Sequence, residues 1–200
     1  RDVSGDRCPL LMKLLFTSAR LSIQVHPDDE YGQRHHQSLG KTEAWHVLSA
    51  TADAEVGLGF THPTTPDAAR AAALSGAIEQ QVDWHRARAG DTFFVPAGTV
   101  HAIGGGLTIV EVQEHSDVTY RLYDYGRPRE LHLDHGLTVA TLDRYTVDNR
   151  PVPLSASRTQ LTTCRYFTME RVHVARGAQV VPTGHEYQLL MAIGGSGTLA

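Results

Sequence analysis

The sequence predicts a mainly β fold, built as an antiparallel barrel or jelly roll with a small helical insertion. Many short segments alternate apolar with polar residues, which is typical of half-buried strands. Glycine and proline separate these segments at short intervals and indicate turns. A helical pattern around residues 65–82 lies between the strands as an insertion. Many short strands with turns favour a barrel or jelly roll.

Composition and charge restrict the class of protein. Of the 200 residues, 41% are hydrophobic, which is enough for a core, and the net charge is only -4. This mild charge argues against binding to nucleic acid or to a membrane surface. The two cysteines, Cys8 and Cys164, form no CxxC pair, so we expect a reducing compartment, the cytoplasm. No apolar run reaches the roughly 18–20 residues of a membrane span. We expect a monomer rather than an oligomer.

The first two strands place polar side chains on defined faces. Residues 9–16 are apolar except for Lys13, which either snorkels to water at a strand edge or points its charge into a pocket. In residues 21–26, Gln24 and His26 share the polar face, at a two-residue spacing that a metal ion can bridge. Pro27 ends this strand, and the acids that follow it suit the first turn of a short helix.

The next strand, residues 41–48, places Glu43, Trp45 and Val47 on one face. A helix is predicted over residues 65–74, because proline stands at its first position and an acid in its first turn. A second short helix is predicted near residues 77–82. We assign no chemistry to this helical insert.

A turn that delivers one histidine follows, in residues 90–101 (Gly-Asp-Thr-Phe-Phe-Val-Pro-Ala-Gly-Thr-Val-His). The alternating β-branched and aromatic residues predict a strand, and Pro96 and Gly98 end it. The turn then presents His101. The motif Gly-x5-Pro-x-Gly-x2-His has the form of the second cupin motif. The three glycines at 104–106 indicate a hairpin turn, and they are not a nucleotide loop because no helix pattern follows them.

Two strands after this turn return polar residues to the interior. In the first strand Glu111 shares a face with Gln113, and the second strand contains Arg121. A Gly-Arg-Pro-Arg turn with Arg127 comes next. Beyond it we predict a loop leading into a helix at residues 132–142. Two further strands are predicted at residues 164–174 and 180–192.

The metal hypothesis rests on Gln24, His26, Glu43 and His101, which come from three separate strands. Inward positions on neighbouring strands of a jelly roll converge, so these side chains could surround one ion. Imidazole and carboxylate ligands suit zinc or another first-row divalent ion, and the lack of a nearby thiolate favours a catalytic site. The alternative is that Glu43 is solvated and His26 ends a strand. We assign structural or surface roles to the other histidines, His35, His36, His46, His62, His85, His115, His132, His135, His173 and His185.

Four blocks of the sequence together resemble type I mannose-6-phosphate isomerase, most closely its shorter bacterial form, within the cupin superfamily. The resemblance covers residues 9–142 in order and is weak beyond Ser155. The blocks are residues 21–30, 40–45, 94–104 and 110–124.

This resemblance implies a zinc enzyme, with one Zn²⁺ per chain, that interconverts mannose 6-phosphate and fructose 6-phosphate. The implied partner is therefore a phosphorylated hexose. The family's zinc ligands correspond to Gln24, His26, Glu43 and His101. Its catalytic positions correspond to Arg121, Glu111 and Lys41, and Lys13 and Arg127 are candidates for binding the phosphate. The first cupin motif lacks its second histidine because of an insertion before Glu43, and such an insertion is typical of this family.

The resemblance leaves two other functions open. One is another cupin metalloenzyme, such as an iron dioxygenase. Gln24 argues against it, because those enzymes usually have a histidine at this position. The other is a sugar-phosphate-binding homologue without catalysis, against which the full ligand set argues. The chain begins without Met and ends in residues that have the pattern of a strand's first positions, so we expect a fragment. Its predicted parts are a catalytic cupin domain, a linker and the truncated start of a C-terminal cupin-like domain, at residues 1–148, 149–157 and 158–200.

Overall fold

A computed structural model describes residues 8–147, 150–179 and 187–198. The strands, in chain order, are β1 (Leu10–Thr17), β2 (Ile23–Val25), β3 (Glu43–Ala50), β4 (Glu55–Phe60), β5 (Val82–Arg86), β6 (Thr92–Val95), β7 (His101–Ile103), β8 (Leu107–Glu114), β9 (Tyr120–Tyr123), β10 (Val152–Pro153), β11 (Arg158–Thr163) and β12 (Thr168–Val172). The helices are α1 (Asp29–His36), α2 (Pro66–Ser75), α3 (Ile78–Gln81) and α4 (Leu133–Val139).

Two antiparallel sheets form the main body. The first sheet has the order β1-β8-β3-β6, and the second has the order β5-β4-β7-β2-β9. Strands distant in sequence are therefore neighbours in space; for example, β8 pairs with both β1 and β3. The predicted mainly β fold, with antiparallel sheets and a helical insert, is confirmed.

The two sheets pack face to face over a shared apolar core. Trp45, Phe93 and Ile109 of the first sheet contact Leu58 and Ile103 of the second sheet in one cluster. Their side chains are at most 4% exposed, and burying a side chain of this size stabilises the fold by about 1.5–3 kcal/mol. This packing leaves the polar residues of the same inner faces to gather at one end of the interior.

The helices begin and end as their sequences predict. The Asp28 carboxylate caps α1 by accepting a hydrogen bond from the Tyr31 backbone N–H at 2.8 Å. Thr65 caps α2, and Gly76, at φ 82°, ends it in the left-handed conformation that glycine adopts without strain. The three helices predicted at 65–74, 77–82 and 132–142 correspond to α2, α3 and α4. No helix in the described part of the chain is long and apolar enough to cross a membrane.

Strands β4 and β5 were not predicted, because glycines interrupt the alternating pattern of β4. A Cβ atom at Gly57 would lie 2.5 Å from Cγ1 of Val82 on β5. A side chain at position 57 would therefore clash with Val82, which glycine avoids.

The end of the chain forms a third sheet, of order β10-β11-β12. Strand β10 lies within the predicted linker, and β12 lies within the strand predicted at 164–174. Residues 187–192 contain no strand, contrary to the prediction for 180–192, since no described strand lies beside them to complete a ladder. The rest of that predicted strand, 180–186, lies outside the described residues. The domain boundaries stay predictions.

Candidate functional site

Three buried side chains meet inside the barrel: His26, Glu43 and His101. Each is 1% exposed, and one potential ligand atom from each lies within 4.8 Å of the other two. The carboxylate of Glu43 lies 3.6 Å from Nε2 of His26 and 3.4 Å from Nε2 of His101. Glu43 begins β3, His26 follows β2, and His101 begins β7. The convergence of separate strands expected for a jelly roll thus brings these residues together.

Strand register and the Pro-Ala-Gly turn position these residues. Gln24 pairs with His101 across β2 and β7, so their side chains share a face. The backbone N–H of Gly98 donates to the His26 carbonyl at 2.8 Å and ties the turn to the end of β2. Gly98 has φ 85°, a conformation that favours glycine. The turn therefore holds His101 beside His26.

Both imidazoles are oriented by backbone carbonyls. Nδ1 of His26 lies 3.0 Å from the Val118 carbonyl, and Nδ1 of His101 lies 2.8 Å from the Thr99 carbonyl. A neutral ring that donates from Nδ1 presents the lone pair of Nε2, as metal-binding histidines do. Burial, reinforced by the charge of Lys41, lowers the pKa of His26 well below its usual value. Burial also lowers the pKa of His101, to about 4. Both rings are therefore neutral near pH 7.

The amide of Gln24 and the indole of Trp45 complete the surroundings of this cluster. Nε2 of Gln24 lies 3.5 Å from Nε2 of His26 and 3.3 Å from Nε2 of His101. If the amide oxygen and nitrogen of Gln24 were exchanged, the oxygen would face the two Nε2 atoms. Which of the two atoms faces them is assigned from the surrounding hydrogen bonds. Trp45 donates from its indole nitrogen to Oε1 of Glu43 at 3.1 Å.

The other carboxylate oxygen of Glu43, Oε2, is buried and accepts no well-aligned hydrogen bond from the described residues. The ammonium of Lys41 lies 3.1 Å from it and 3.0 Å from Nε2 of His26. Two imidazoles, a carboxylate and an amide fit a first-row divalent cation such as zinc. The donor set predicted from the sequence is therefore chemically suited to a metal ion.

A second group lies on the same inner face, next to the first. The ammonium of Lys13 lies 3.2 Å from the Glu111 carboxylate and 2.5 Å from Oε1 of Gln113. Across the sheet, Glu111 pairs with Trp45, and Gln113 pairs with Glu43. Burial, and secondly the negative charge of Glu43, raise the pKa of Glu111. Lys13 thus points into the interior, which was one of the two interpretations of its sequence position.

Two predicted arginines form a separate group around Asp124. Arg121 is paired with Gln24 across β2 and β9, but its guanidinium donates to the Glu130 carbonyl at 2.8 Å. Arg127 forms an ion pair with Asp124 at 2.5 Å. Burial acts to raise the pKa of Asp124, but hydrogen bonds from Arg129 and Arg127 outweigh it and lower the pKa. Hydrogen bonds and ion pairs within the described residues join neither Arg121 nor Arg127 to the histidine cluster.

The sequence interpretation missed Gln113, the indole of Trp45 and Asp124 as parts of these groups. The rarity of lysine is a signal that could have indicated the site. Of the 18 basic residues Lys and Arg in the chain, only two, Lys13 and Lys41, are lysines. Both lie at the site. The alternation in β8 also places Gln113 beside Glu111, as noted from the sequence.

Comparisons with known proteins show similarity to isomerases in sequence. The family model for the catalytic domain of type I phosphomannose isomerase matches residues 1–44. Mannose-6-phosphate isomerase ManA of Bacillus subtilis is 36% identical over 209 residues, which cover 99% of this chain and 65% of the relative. Mannose-6-phosphate isomerase of Streptococcus mutans is 35% identical and covers 96% of this chain and 62% of its own length.

Solved structures give the same result. The crystal structure of mannose 6-phosphate isomerase from Bacillus subtilis matches 83% of this chain and 56% of that chain, with 36% identity and a TM-score of 0.74. Phosphomannose isomerase from Salmonella typhimurium has a TM-score of 0.68 at 14% identity over 87% of this chain and 65% of that chain, a likeness in fold alone.

This chain spans less than two thirds of the length of these curated relatives, 65% of one and 62% of the other. The matches nevertheless extend over nearly all of the chain itself. They confirm the resemblance predicted from four sequence blocks. Over the part of these relatives that it spans, the chain is similar in sequence and in fold to the type I phosphomannose isomerases.

Proposed function

We propose that this chain contains the catalytic site of a zinc-dependent isomerase that interconverts mannose 6-phosphate and fructose 6-phosphate. The observation that carries the proposal is the buried cluster of His26, Glu43 and His101, with the Lys13–Glu111 pair on the same inner face. Similarity to mannose-6-phosphate isomerases makes a sugar phosphate the first substrate to test. Such a substrate is in keeping with the cytoplasmic location expected from the cysteines.

The proposed metal ligands are Gln24, His26, Glu43 and His101, for one Zn²⁺ per chain. Their support is the donor set and the two Nε2 lone pairs that face the Glu43 carboxylate. When bound, zinc supplies Lewis-acid polarisation of a substrate oxygen and stabilises negative charge there.

The reaction requires a base near the sugar carbons. The base takes the proton from C2 of the aldose and returns it to C1, while the hydroxyl proton at O2 passes to O1, through a cis-enediol. Glu111 is our choice for this base. Burial raises the pKa of Glu111 toward neutral pH, and a general base works best when its pKa is near the working pH. Lys41 is the rival, since its ammonium already lies within the cluster.

Positive charge would stabilise the enediolate and bind the phosphate. We assign Arg121 to the first role, supported by its position opposite Gln24 in the sheet. We assign Lys13 and Arg127 to phosphate. The side chain of Lys13 is 36% exposed, so solvent reaches it. Arg127 and Arg129 share the single charge of Asp124, which leaves a net positive charge for a dianion.

An assay of fructose 6-phosphate formation from mannose 6-phosphate, with and without a chelator, tests this function. We expect chelation to abolish turnover and zinc to restore it. Full activity in the metal-stripped chain would remove the metal from the proposal. If the zinc-loaded chain binds mannose 6-phosphate without converting it, the chain is a non-catalytic binding protein.

Matched histidine variants make this test specific. His101→Gln should lose both bound zinc and turnover. His46→Gln should keep both, because His46 is buried outside the cluster and hydrogen-bonded to Thr92 at 2.9 Å. Equal losses in the two variants would indicate a general effect on folding.

A further inference from the structure

Gln113 is a buried amide whose orientation is fixed. Its side chain is fully buried on β8, and its amide nitrogen donates to the carbonyls of Glu114 at 2.9 Å and Ser116 at 2.6 Å. Both amide hydrogens are therefore in use. Exchanging the nitrogen and oxygen would place the oxygen against two carbonyl acceptors, which is unfavourable. The amide oxygen must therefore point the other way.

That oxygen accepts a hydrogen bond from Lys13. The distance between Nζ of Lys13 and Oε1 of Gln113 is 2.5 Å, and the Glu111 carboxylate lies 3.2 Å from the same nitrogen. An ammonium has three hydrogens. Two of them are directed at Gln113 and Glu111, so the third has a defined direction.

The neutrality of Gln113 matters because the surrounding face is already acidic. Glu43 and Glu111 are both buried there, and the charge of Glu43 contributes to the raised pKa of Glu111. A carboxylate at position 113 would add a third acid and neutralise Lys13. An amide accepts the same hydrogen bond without a charge, so Lys13 stays available to an anionic group.

We propose that Gln113 is a positioning residue, which holds the Lys13 ammonium beside Glu111 without adding a second negative charge that would compete with the anionic group of the substrate. This inference rests on the proposed function insofar as Lys13 binds the substrate. The position of Lys13 itself can be measured without any turnover.

Selective ¹³C labelling of the lysine ε-carbons tests the positioning directly, because the chain has only two lysines and should give two lysine signals. In Gln113→Met we expect the Lys13 signal to move toward that of a free lysine, while the Lys41 signal stays in place. Gln81→Met, on α3, is the matched control and should move neither signal. An unmoved Lys13 signal, or equal shifts of both lysines, would overturn the inference.

Kinetics then separate a positioning role from a structural one. We expect Gln113→Met to lower kcat/KM about tenfold, the effect of one hydrogen bond to a charged group, mainly through KM. Gln113→Glu should lower it further, because the new carboxylate competes with the substrate for Lys13. In a Lys13→Met background, Gln113→Met should have almost no additional effect.

Additive losses in that double variant would contradict positioning through Lys13. If the unmodified chain shows no isomerisation, the proposed function fails, while the lysine signals still decide whether Gln113 holds Lys13. The two failures can therefore be told apart.

Discussion

Two groups of histidines show how differently one residue type behaves in this molecule. The inner cluster comprises His26, Glu43 and His101. The outer cluster comprises Tyr31, His35, His36, Tyr120 and His135, contributed by α1, α4 and β9. Ring centres are 4.7 Å apart for His26 and His101, and 5.6 Å apart for His35 and His135. By the spacing of their histidine rings alone, the two groups look alike.

Their surroundings differ in three respects. The inner rings are 1% exposed, their Nδ1 atoms face backbone carbonyls, and a carboxylate lies between them. The outer histidines are exposed, and they contact tyrosines instead: Nδ1 of His135 lies 2.9 Å from the Tyr31 hydroxyl, and Nε2 of His36 lies 2.5 Å from the Tyr120 hydroxyl. A candidate metal centre is therefore defined by fixed, desolvated lone pairs and a nearby negative charge.

Removing the negative charge of Glu43 should have the largest effect on zinc binding. We expect Glu43→Gln to lower zinc affinity about 100-fold or more, because the inner cluster would keep its histidines and lose its only carboxylate ligand. Competition with a chromophoric chelator measures this affinity. His135→Ala is the control from the outer cluster and should bind zinc as the unmodified chain does. If His135→Ala loses as much affinity as Glu43→Gln, the distinction between the clusters is wrong.

Removing the hydrogen bond that orients the Glu43 carboxylate should have a smaller effect on zinc affinity. Trp45→Phe removes the indole N–H that donates to Oε1 of Glu43 and keeps an aromatic ring in the core. Partners of this kind orient a ligand, and their loss typically costs 10–100-fold in affinity, so we expect a decrease of about tenfold. The same competition assay measures it. Unchanged affinity would show that packing alone orients Glu43.

The smallest expected effect is on the pH dependence of stability, through the buried carboxyl group of Glu114. Burial, together with the nearby charge of Asp29, raises the pKa of Glu114 from 4.5 to about 7. Between these values the folded chain binds more protons than the unfolded chain, so the free energy of unfolding decreases as pH rises. Glu114→Gln should therefore be more stable than the unmodified chain above about pH 7, by about 1 kcal/mol after solvent screening, or about 2–4 °C in Tm.

The difference in Tm between Glu114→Gln and the unmodified chain should vanish near pH 4, where Glu114 is protonated in both states. Thermal unfolding of the metal-free protein across this pH range measures it. The exposed control is Glu30→Gln, on α1, where the carboxylate forms an ion pair with Arg34 and its side chain is 79% exposed. Its difference from the unmodified chain should stay near zero. A difference for Glu114→Gln that grows toward low pH would contradict the assigned direction of the pKa shift.

Alternation and turn chemistry were sufficient to predict much of the architecture. The alternation in residues 21–26 predicted that Gln24 and His26 share a face, and their side chains lie 3.5 Å apart. Proline at the first position marked the start of α2, because such signals act within a few residues, and Thr65 and Gly76 cap its two ends. Strand β4 escaped prediction because its glycines serve contacts distant in sequence: Gly57 lies against Val82 of β5, and Gly59 lies against Tyr145.

The sequence by itself determined the residue types of the candidate site and the strands that carry them, since period-two alternation fixes which side chains share a face. Only the tertiary structure decided which cations join that site. Lys13 enters it because β1 pairs with β8, a partner about 100 residues away. Arg127, a phosphate-binding candidate by resemblance, forms an ion pair with the buried carboxylate of Asp124, three residues before it in the chain. Local patterns specify faces, whereas the partner of a long charged side chain depends on contacts that only folding creates.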